Sequence, residues 1–273
     1  MHRNGNGSAP DEVPTRFRID LAYDGTDFAG WAIQPAQRTV EGVITDALQR
    51  IFQRAVKLTV AGRTDAGVHA TGQVCHVDLP SMPDLARRLN RLLPEDVRIN
   101  GVSPIGTDFD ARFSALWRRY EYRVTQTPNP LRRLDTLAWP RPLDLDRLNE
   151  AALGLKGEHD FAAYCRFKEM ATTIREITQL HWRREPDGVL VATVQADAFC
   201  QQMVRSLVGA MLAVGEGRRD PGWPTTLLSR TQRVSEVPVA PAHGLTLVAV
   251  GYPPSDEYQA RADATRNLRT RLG

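Results

Sequence analysis

Residues 57–79, KLTVAGRTDAGVHATGQVCHVDL, decide the architecture that we expect for the chain. Residues 57–61 and 72–79 have the β-branched and alternating pattern of strands, and residues 62–70 form a glycine-containing loop between them. Loops held between strands often carry functional side chains. The segment therefore predicts part of a sheet whose connecting loop holds the residues of interest.

A strand and a helix are predicted ahead of this segment. In Thr15–Tyr23 apolar and charged residues alternate between Phe17 and Leu21, which is typical of a half-exposed antiparallel strand. Over residues 39–55 apolar residues recur at helical spacing, and Thr39 is suited to cap the helix N-terminus. We therefore expect an amphipathic helix that covers the sheet.

The residues that follow predict a basic helix and two more strands. Ser81 and Asp84 are expected to form a capping box ahead of a leucine-striped helix. Strands are expected at 97–103 and 118–127. The helix has three arginines on its polar face: Arg87, Arg88 and Arg91.

The second half of the chain repeats this order coarsely. Helices are expected at 145–155 and 200–214, and strands at 173–184, 189–196 and 245–252. Long strands, helices on one face and no regular βαβ alternation predict an α+β fold with a mostly antiparallel sheet.

We expect two halves flanked by loose tails. A proline-rich connection after residue 127 separates a first half, residues 15–127, which carries the loop, from a second half, residues 128–252. Residues 1–14 and 253–273 are expected to be tails.

The composition is that of a globular protein, with 42% hydrophobic and 25% charged residues. The net charge of +3 does not by itself indicate a polyanionic partner. Arginine is far commoner than lysine and suits phosphate contacts and base stacking, although a GC-rich genome would produce the same bias. The placement of the arginines along the chain must therefore decide whether they indicate a nucleic-acid partner.

Three cysteines lie far apart: Cys75, Cys165 and Cys200. Because they form no metal-binding spacing and are odd in number, we expect reduced thiols and no structural zinc. The N-terminus lacks an apolar signal-type run, and no stretch approaches the roughly 18 apolar residues of a transmembrane helix. These features predict a cytoplasmic protein without a membrane partner.

The loop at 62–70 concentrates reactive side chains. Gly62 and Gly67 allow close approach to a partner, and they flank Asp65, with Arg63 able to meet a phosphate or a carboxylate. The loop alone also fits a structural turn in which Asp65 caps the backbone. Other clusters must distinguish a site from a turn.

Three such clusters occur. Around Arg112, and again from Arg118 to Tyr122, arginines alternate with aromatic residues, a pattern that suits RNA phosphates and bases but also fits a plain edge strand. Arg205 flanks an apolar helical stripe, where it either reaches solvent or, if buried, pairs with a carboxylate such as Asp65. Residues 23–31, YDGTDFAGW, also fit an ordinary turn.

Taken in order, these segments resemble the tRNA pseudouridine synthase A family, TruA, from about residue 15 to 252. The resemblance rests on YDGT from Tyr23 with GW from Gly30, GRTDAGVH from Gly62, ARFSA from Ala111, RY from Arg119, MVR from Met203 and GL from Gly244. The chain departs from the family at Ala32 and Ile33, where glutamine and arginine are usual, at Gln201–Gln202 and at Thr246.

The resemblance implies the pseudouridine synthase fold, with two RRM-like or ferredoxin-like halves around a central RNA-binding cleft. It implies isomerisation of uridine to pseudouridine at positions 38, 39 and 40 of the tRNA anticodon stem-loop, by a homodimer. The rearrangement moves the uracil from its N1 to its C5 on the same ribose and involves no net redox change. No cofactor or metal is therefore expected.

The same resemblance, with the chemistry, assigns roles to the site residues. Asp65 is expected to attack C6 of the uracil or C1′ of the ribose, with Arg205, or secondly Arg63, holding its charged form. Tyr120 is expected to stack on the flipped base. The remaining substrate-binding residues are expected to be Arg112, Arg119 and Leu245.

Two other functions are compatible with the residues. A non-catalytic RNA-binding protein would use the same arginines and aromatics, with Asp65 as a loop cap. A nucleosidase-like hydrolase would use Asp65 against C1′ and release free uracil.

Overall fold

A computed structural model describes residues 14–169 and 171–270 of the chain. The strands are β1 (Thr15–Tyr23), β2 (Thr59–Val60), β3 (His69–Leu79), β4 (Val97–Ile105), β5 (Trp117–Thr125), β6 (Leu137–Ala138), β7 (Gly157–Asp160), β8 (Ile174–Arg184), β9 (Leu190–Ala196) and β10 (Leu245–Gly251). The helices are α1 (Val40–Phe52), α2 (Leu85–Leu92), α3 (Leu145–Leu153), α4 (Met203–Gly215), α5 (Trp223–Thr226) and α6 (Tyr258–Thr270).

The strands form one sheet with the order β4-β1-β3-β10-β5-β9-β8-β7, while β2 pairs with β3 and β6 with β5. Strand pairs are antiparallel except for β10 with β3 and β5 with β6. The prediction of an α+β fold with a mostly antiparallel sheet is confirmed. Because β10 lies between β3 and β5, the last strand joins the strand after the loop to the strand that carries Tyr120.

Helices α1 and α4 cover one face of the sheet because both present apolar stripes to it. Ile44 and Leu48 of α1 are fully buried, and Thr39 caps the helix by accepting a hydrogen bond from the Gly42 N–H at 3.3 Å, as predicted. In α4 nearly every side chain is buried. The indole N–H of Trp182 on β8 donates to the sulfur of Met211 on α4 at 3.3 Å, which fixes this helix against the second half of the sheet.

The predicted capping box at Ser81 and Asp84 is wrong. Asp84 precedes α2 with a φ of 56° and makes no side-chain capping bond. In that left-handed conformation its carboxylate does not reach the first helical N–H groups. The basic face of α2 is confirmed, since Arg87 and Arg91 are exposed.

The expectation of a loose C-terminal tail after residue 252 is wrong for its described part. Residues Tyr258–Thr270 form α6, in which Tyr258 and Ala262 are buried. Tyr258 packs edge-on against Phe109 with ring centroids 5.0 Å apart, in a second small core on the other face of the sheet. Residues 1–13 of the N-terminal tail lie outside the described residues.

The boundary between halves at residue 127 stays a prediction. Strand β5 of the first half pairs with both β9 and β10 of the second, so the sheet runs continuously across that boundary. Within the described residues, no helix combines the length and apolar character that crossing a bilayer requires.

The prediction of three reduced thiols is wrong for two of them. Cys165 and Cys200 form a disulfide, with their Cα atoms 5.7 Å apart, while Cys75 is a buried free thiol. The two cysteines are 35 residues apart in sequence and meet only because the segment after β7 folds over the start of α4. Sequence spacing carries no information about such an encounter.

Candidate active site

The Asp65 loop, residues 62–68, connects β2 to β3 and is held by its backbone. The Trp31 N–H donates to the Thr64 carbonyl at 3.1 Å, and the Gly67 N–H donates to the Phe28 carbonyl at 3.2 Å. The hydroxyl of Tyr23 bonds the Thr64 hydroxyl at 2.8 Å. These bonds fix the backbone on both sides of Asp65 before any substrate arrives.

Two glycines of the segment 23–31 allow it to contact the Asp65 loop directly. A Cβ atom on Gly25 would lie 2.1 Å from the Val68 carbonyl oxygen, and one on Gly30 would lie 2.8 Å from the Thr64 carbonyl oxygen. Gly30 also has a φ of +98°, a conformation that favours glycine. The sequence motif that looked like an ordinary turn is therefore the support of the loop.

His69 connects the Asp65 loop to the C-terminal strand. Its Nδ1 accepts the Gly25 N–H at 3.0 Å, which leaves Nε2 to donate to the His243 carbonyl at 3.1 Å. Residues 242–244 form a 3₁₀ turn immediately before β10. The turn before the last strand is thereby tied to the loop.

Asp65 lies beside a cation from α4. Its Oδ2 is 3.8 Å from an Nη atom of Arg205, and the two side chains are 27% and 17% exposed. Arg205 is itself held because its Nε donates to the Ala240 carbonyl at 2.7 Å. Burial raises the pKa of Asp65 above its ordinary value, and the positive charges of Arg205 and then of Arg166 oppose that rise.

Tyr120 is a buried aromatic residue on the same face of the sheet as α4. It pairs with Val194 and Leu247 in the neighbouring strands, and its ring packs edge-on against Phe199 at 5.2 Å between centroids. Burial, then Tyr23 and then Asp65, raises the pKa of its hydroxyl, so Tyr120 stays protonated. Its hydroxyl makes no hydrogen bond to another group in the described residues.

The structure brings some predicted residues together and separates others. Leu245 is buried at the start of β10, opposite Tyr122, and Arg63 is exposed on the Asp65 loop. Arg119 projects from the face opposite Tyr120, where its Nε donates to Gln195 at 2.9 Å. Arg112 is exposed, with its guanidinium 5.1 Å from the centroid of the Phe113 ring.

Sequence reasoning assigned no role to two residues that the structure brings to Asp65 and Tyr120. Arg166 acts on the charge of Asp65 although it lies a hundred residues further along the chain, and Phe199 packs on Tyr120. Neither residue belongs to a recognisable motif. Their position depends on the contact between the segment after β7 and the start of α4, which the sequence does not reveal.

The arrangement can perform nucleophilic chemistry on a planar base. It offers a carboxylate beside a cation, on a loop with a fixed backbone, next to a buried aromatic ring. In the described part of the chain, no group of three His, Cys, Asp or Glu side chains is placed to hold a metal ion.

Comparison with known proteins identifies close relatives. The family model described as tRNA pseudouridine synthase matches residues 21–114 and 151–253. A tRNA pseudouridine synthase A of Frankia casuarinae is 61% identical over 93% of this chain and 95% of its own length. Proteins with the same name from Streptomyces griseus and Mycobacterium leprae are 55% and 50% identical, over 94% and 93% of this chain and 95% and 96% of their own lengths.

Proposed function

Because this chain belongs to the tRNA pseudouridine synthase family, we propose that Asp65 is the group that attacks the target uridine. The protein is an isomerase that forms pseudouridine in tRNA. The reaction breaks the bond between C1′ and N1 and makes one between C1′ and C5 of the same nucleotide. A carboxylate that adds to C6 or to C1′ supplies the covalent step, and its bond to the nucleotide breaks again before the product leaves. C5 loses its proton and N1 gains one, so that the product has the same atoms as the substrate.

The target base must leave the RNA stack to reach Asp65. Flipping a nucleotide costs about a few kcal/mol, and stacking on an aromatic ring recovers about 1–3 kcal/mol per base. Tyr120 is suited to this contact because Phe199 packs edge-on against its ring, and burial, then Tyr23 and then Asp65 raise the pKa of its hydroxyl, so that the ring stays neutral. The proposal therefore assigns base stacking to Tyr120.

Asp65 must be ionised to act as a nucleophile. Burial favours its protonated form, whereas Arg205 at 3.8 Å favours the carboxylate. The Nε bond from Arg205 to the Ala240 carbonyl holds the guanidinium in place. Arg205 is thus assigned to keep the carboxylate charged in a partly dry site.

The observation that carries the proposal is the convergence of three elements on one carboxylate. Asp65 comes from the loop before β3, Tyr120 from β5 and Arg205 from α4. A structural cap would satisfy backbone N–H groups, but the carboxylate of Asp65 accepts no hydrogen bond within the described residues. Instead, its Oδ2 lies 3.8 Å from the guanidinium of Arg205, and a charged partner of this kind is common at reactive carboxylates.

The Asp65→Asn variant tests this assignment. The amide has the shape of the carboxylate but cannot attack, so we expect pseudouridine formation to fall at least about a thousandfold. Binding of tRNA is expected to stay within about threefold, because the phosphate contacts are unchanged. The product is measured by carbodiimide labelling of unmodified tRNA incubated without added cofactor.

Asp46→Asn is the matched control, since Asp46 is an exposed carboxylate on α1, outside the Asp65 loop and the segment that supports it. It should form pseudouridine at the wild-type rate. Near-normal turnover by Asp65→Asn would remove Asp65 from the mechanism, and free uracil among the products would indicate hydrolysis instead of isomerisation.

Finer features of the activity are also proposed. We infer that the substrate region is the anticodon stem-loop, at positions 38, 39 and 40, and that two copies of the chain act together. Arg63 and Arg112, whose side chains are exposed, are proposed to contact RNA phosphates. Mapping pseudouridine along each tRNA tests the first inference, and sedimentation of the full chain tests the second.

A further inference from the structure

The segment after the disulfide cysteine brings a second arginine to the site. The Arg166 segment, residues 166–169, directly follows Cys165, and all four of its side chains are exposed. Its backbone is anchored because the Arg166 N–H donates to the Gln201 carbonyl at 2.9 Å. The disulfide between Cys165 and Cys200 joins the same two stretches of chain covalently.

This anchor is continuous with the groups already placed at the site. Cys200 and Gln201 lie between Phe199, whose ring packs on Tyr120, and α4, which carries Arg205. The backbone of Arg166 is thus held beside the start of α4, close to the residues that carry Phe199 and Arg205. Its side chain is exposed, and its charge opposes the burial-driven rise of the Asp65 pKa, second to that of Arg205.

The two arginines differ in what holds their guanidinium groups. Arg205 donates to the Ala240 carbonyl and faces Asp65, and its side chain is only 17% exposed. The guanidinium of Arg166 makes no hydrogen bond or ion pair with the described residues. An exposed arginine with unused donors suits bidentate contact with a phosphate.

An RNA backbone also needs positive charge at this place. A phosphodiester that enters beside Asp65 is repelled by the carboxylate, and Arg205 is turned towards that carboxylate. Phe167, which is 85% exposed, offers an aromatic face next to Arg166. An arginine beside an exposed aromatic residue offers an unpaired stretch of RNA both a contact for a phosphate and a ring on which a base can stack.

We propose that Arg166 binds a phosphate next to the flipped uridine, and that the bond between Cys165 and Cys200 holds it there. Arg166 is then a substrate-binding residue that positions the target nucleotide over Asp65. The inference rests on the proposed function of this site and identifies one contact by which it holds RNA.

Substitution at Arg166 tests the contact. We expect Arg166→Ala to raise the KM for tRNA about tenfold, to change kcat less than about twofold, and to lower the slope of log affinity against log salt by about one. Arg166→Lys keeps the charge and should recover most of the salt slope. Arg184→Ala is the control, because Arg184 is an exposed arginine at the turn between β8 and β9.

The outcomes separate two roles for Arg166. An unchanged KM and salt slope in Arg166→Ala would overturn the proposal. A loss confined to kcat, with a shift of the acidic limb of the pH profile, would mean that Arg166 acts on Asp65 alone. The slope of log affinity against log salt is also compared between Asp65→Asn and Asp65→Asn with Arg166→Ala, so the contact is tested by binding alone even if Asp65 proves not to be the nucleophile.

Reduction of the disulfide tests the anchor. Dithiothreitol converts the pair to two thiols and is itself oxidised to a cyclic disulfide. We expect reduction to raise the KM of the wild type about threefold and to leave the KM of Arg166→Ala unchanged, as coupled groups do in a double-mutant cycle. The variant Cys165→Ser with Cys200→Ser should match the reduced wild type and ignore dithiothreitol.

The buried Cys75 does not complicate this measurement, since it is a free thiol before and after reduction. An equal effect of reduction on the wild type and on Arg166→Ala would contradict the proposed anchor. So would a wild type whose KM does not respond to the reductant.

Discussion

The Asp65 loop and the Arg166 segment lie at one site but are held in different ways. The first has backbone or side-chain bonds from Tyr23, Phe28 and Trp31, and glycine contacts that leave no room for a side chain. The second is exposed and is held at its start, by one backbone bond and the disulfide.

The difference corresponds to two tasks. A nucleophile works when its position is fixed before the substrate arrives, because a displacement of about 1 Å can cost about a hundredfold in rate. A phosphate contact tolerates adjustment, because a charge acts over several ångströms. The loop with the most bonds should therefore control turnover, and the exposed segment should control binding.

Among changes that leave Asp65 itself in place, the largest expected effect comes from breaking the support of the Asp65 loop. In Gly30→Ala the new Cβ would meet the Thr64 carbonyl oxygen at 2.8 Å in a backbone with φ of +98°, so the loop must move. We expect single-turnover pseudouridine formation to fall about a hundredfold or more.

Gly188→Ala is the matched control for that variant. Gly188 has a φ of +84° and open space around it, so alanine there costs about 1–2 kcal/mol of stability through the backbone alone. Its activity should stay at the wild-type level. Equal losses of activity in the two variants would show that the strain, and not the contact with the loop, is responsible.

A smaller effect is expected at the stacking ring. Tyr120→Leu removes the aromatic face that Phe199 supports, and the loss of stacking, about 1–3 kcal/mol, lowers kcat/KM about 5-fold to 150-fold. Tyr120→Phe keeps the ring and should keep most of the activity. If Tyr120→Phe is as slow as Tyr120→Leu, the hydroxyl and not the ring carries the function. Thermal unfolding of both variants separates this effect from lost packing.

The smallest expected effect at neutral pH is that of substituting Arg205, and it sharpens the contrast between Arg205 and Arg166. Arg205 opposes the rise in the Asp65 pKa, so Arg205→Met raises that pKa further, and the carboxylate becomes protonated at a higher pH. The acidic limb of kcat/KM therefore moves to higher pH, with a loss of about tenfold near its midpoint and a smaller loss above it.

Arg205→Lys keeps the charge and should keep the acidic limb near its wild-type position. Arg166→Ala should move the limb in the same direction by less, since Arg205 is the stronger opposing charge. A pH profile that is the same in Arg205→Met as in the wild type would contradict the assignment of Arg205.

Several elements were predictable because their signals are local. The alternation in β1 and the apolar spacing of α1 follow from burial of one face, and Thr39 caps α1 as its side-chain chemistry predicts. The short strand β7 and helix α6 were missed. Helix α6 lies on the second core that contains Phe109, so its order depends on a distant partner.

The candidate site divides in the same way. The sequence motifs selected Asp65, Tyr120 and Arg205, and Asp65 and Arg205 lie 3.8 Å apart. Arg119 was grouped with Tyr120 because the two are adjacent in sequence, yet adjacent residues of a strand point to opposite faces of the sheet. Arg166 and the disulfide were not predicted, since they depend on a contact between distant segments.

The sequence by itself determined the order of the main elements, the mostly antiparallel α+β fold and, through its motifs, the family, and it singled out Asp65 as the carboxylate that we propose to be the nucleophile. Tertiary structure decided that β10 enters the sheet between β3 and β5, that the glycines at 25 and 30 support the Asp65 loop, and that Arg166 reaches the site. Hydrophobic periodicity and capping are set by neighbours a few residues away. Strand order and charge placement are set by contacts between segments that are far apart in the chain, and no local pattern encodes them.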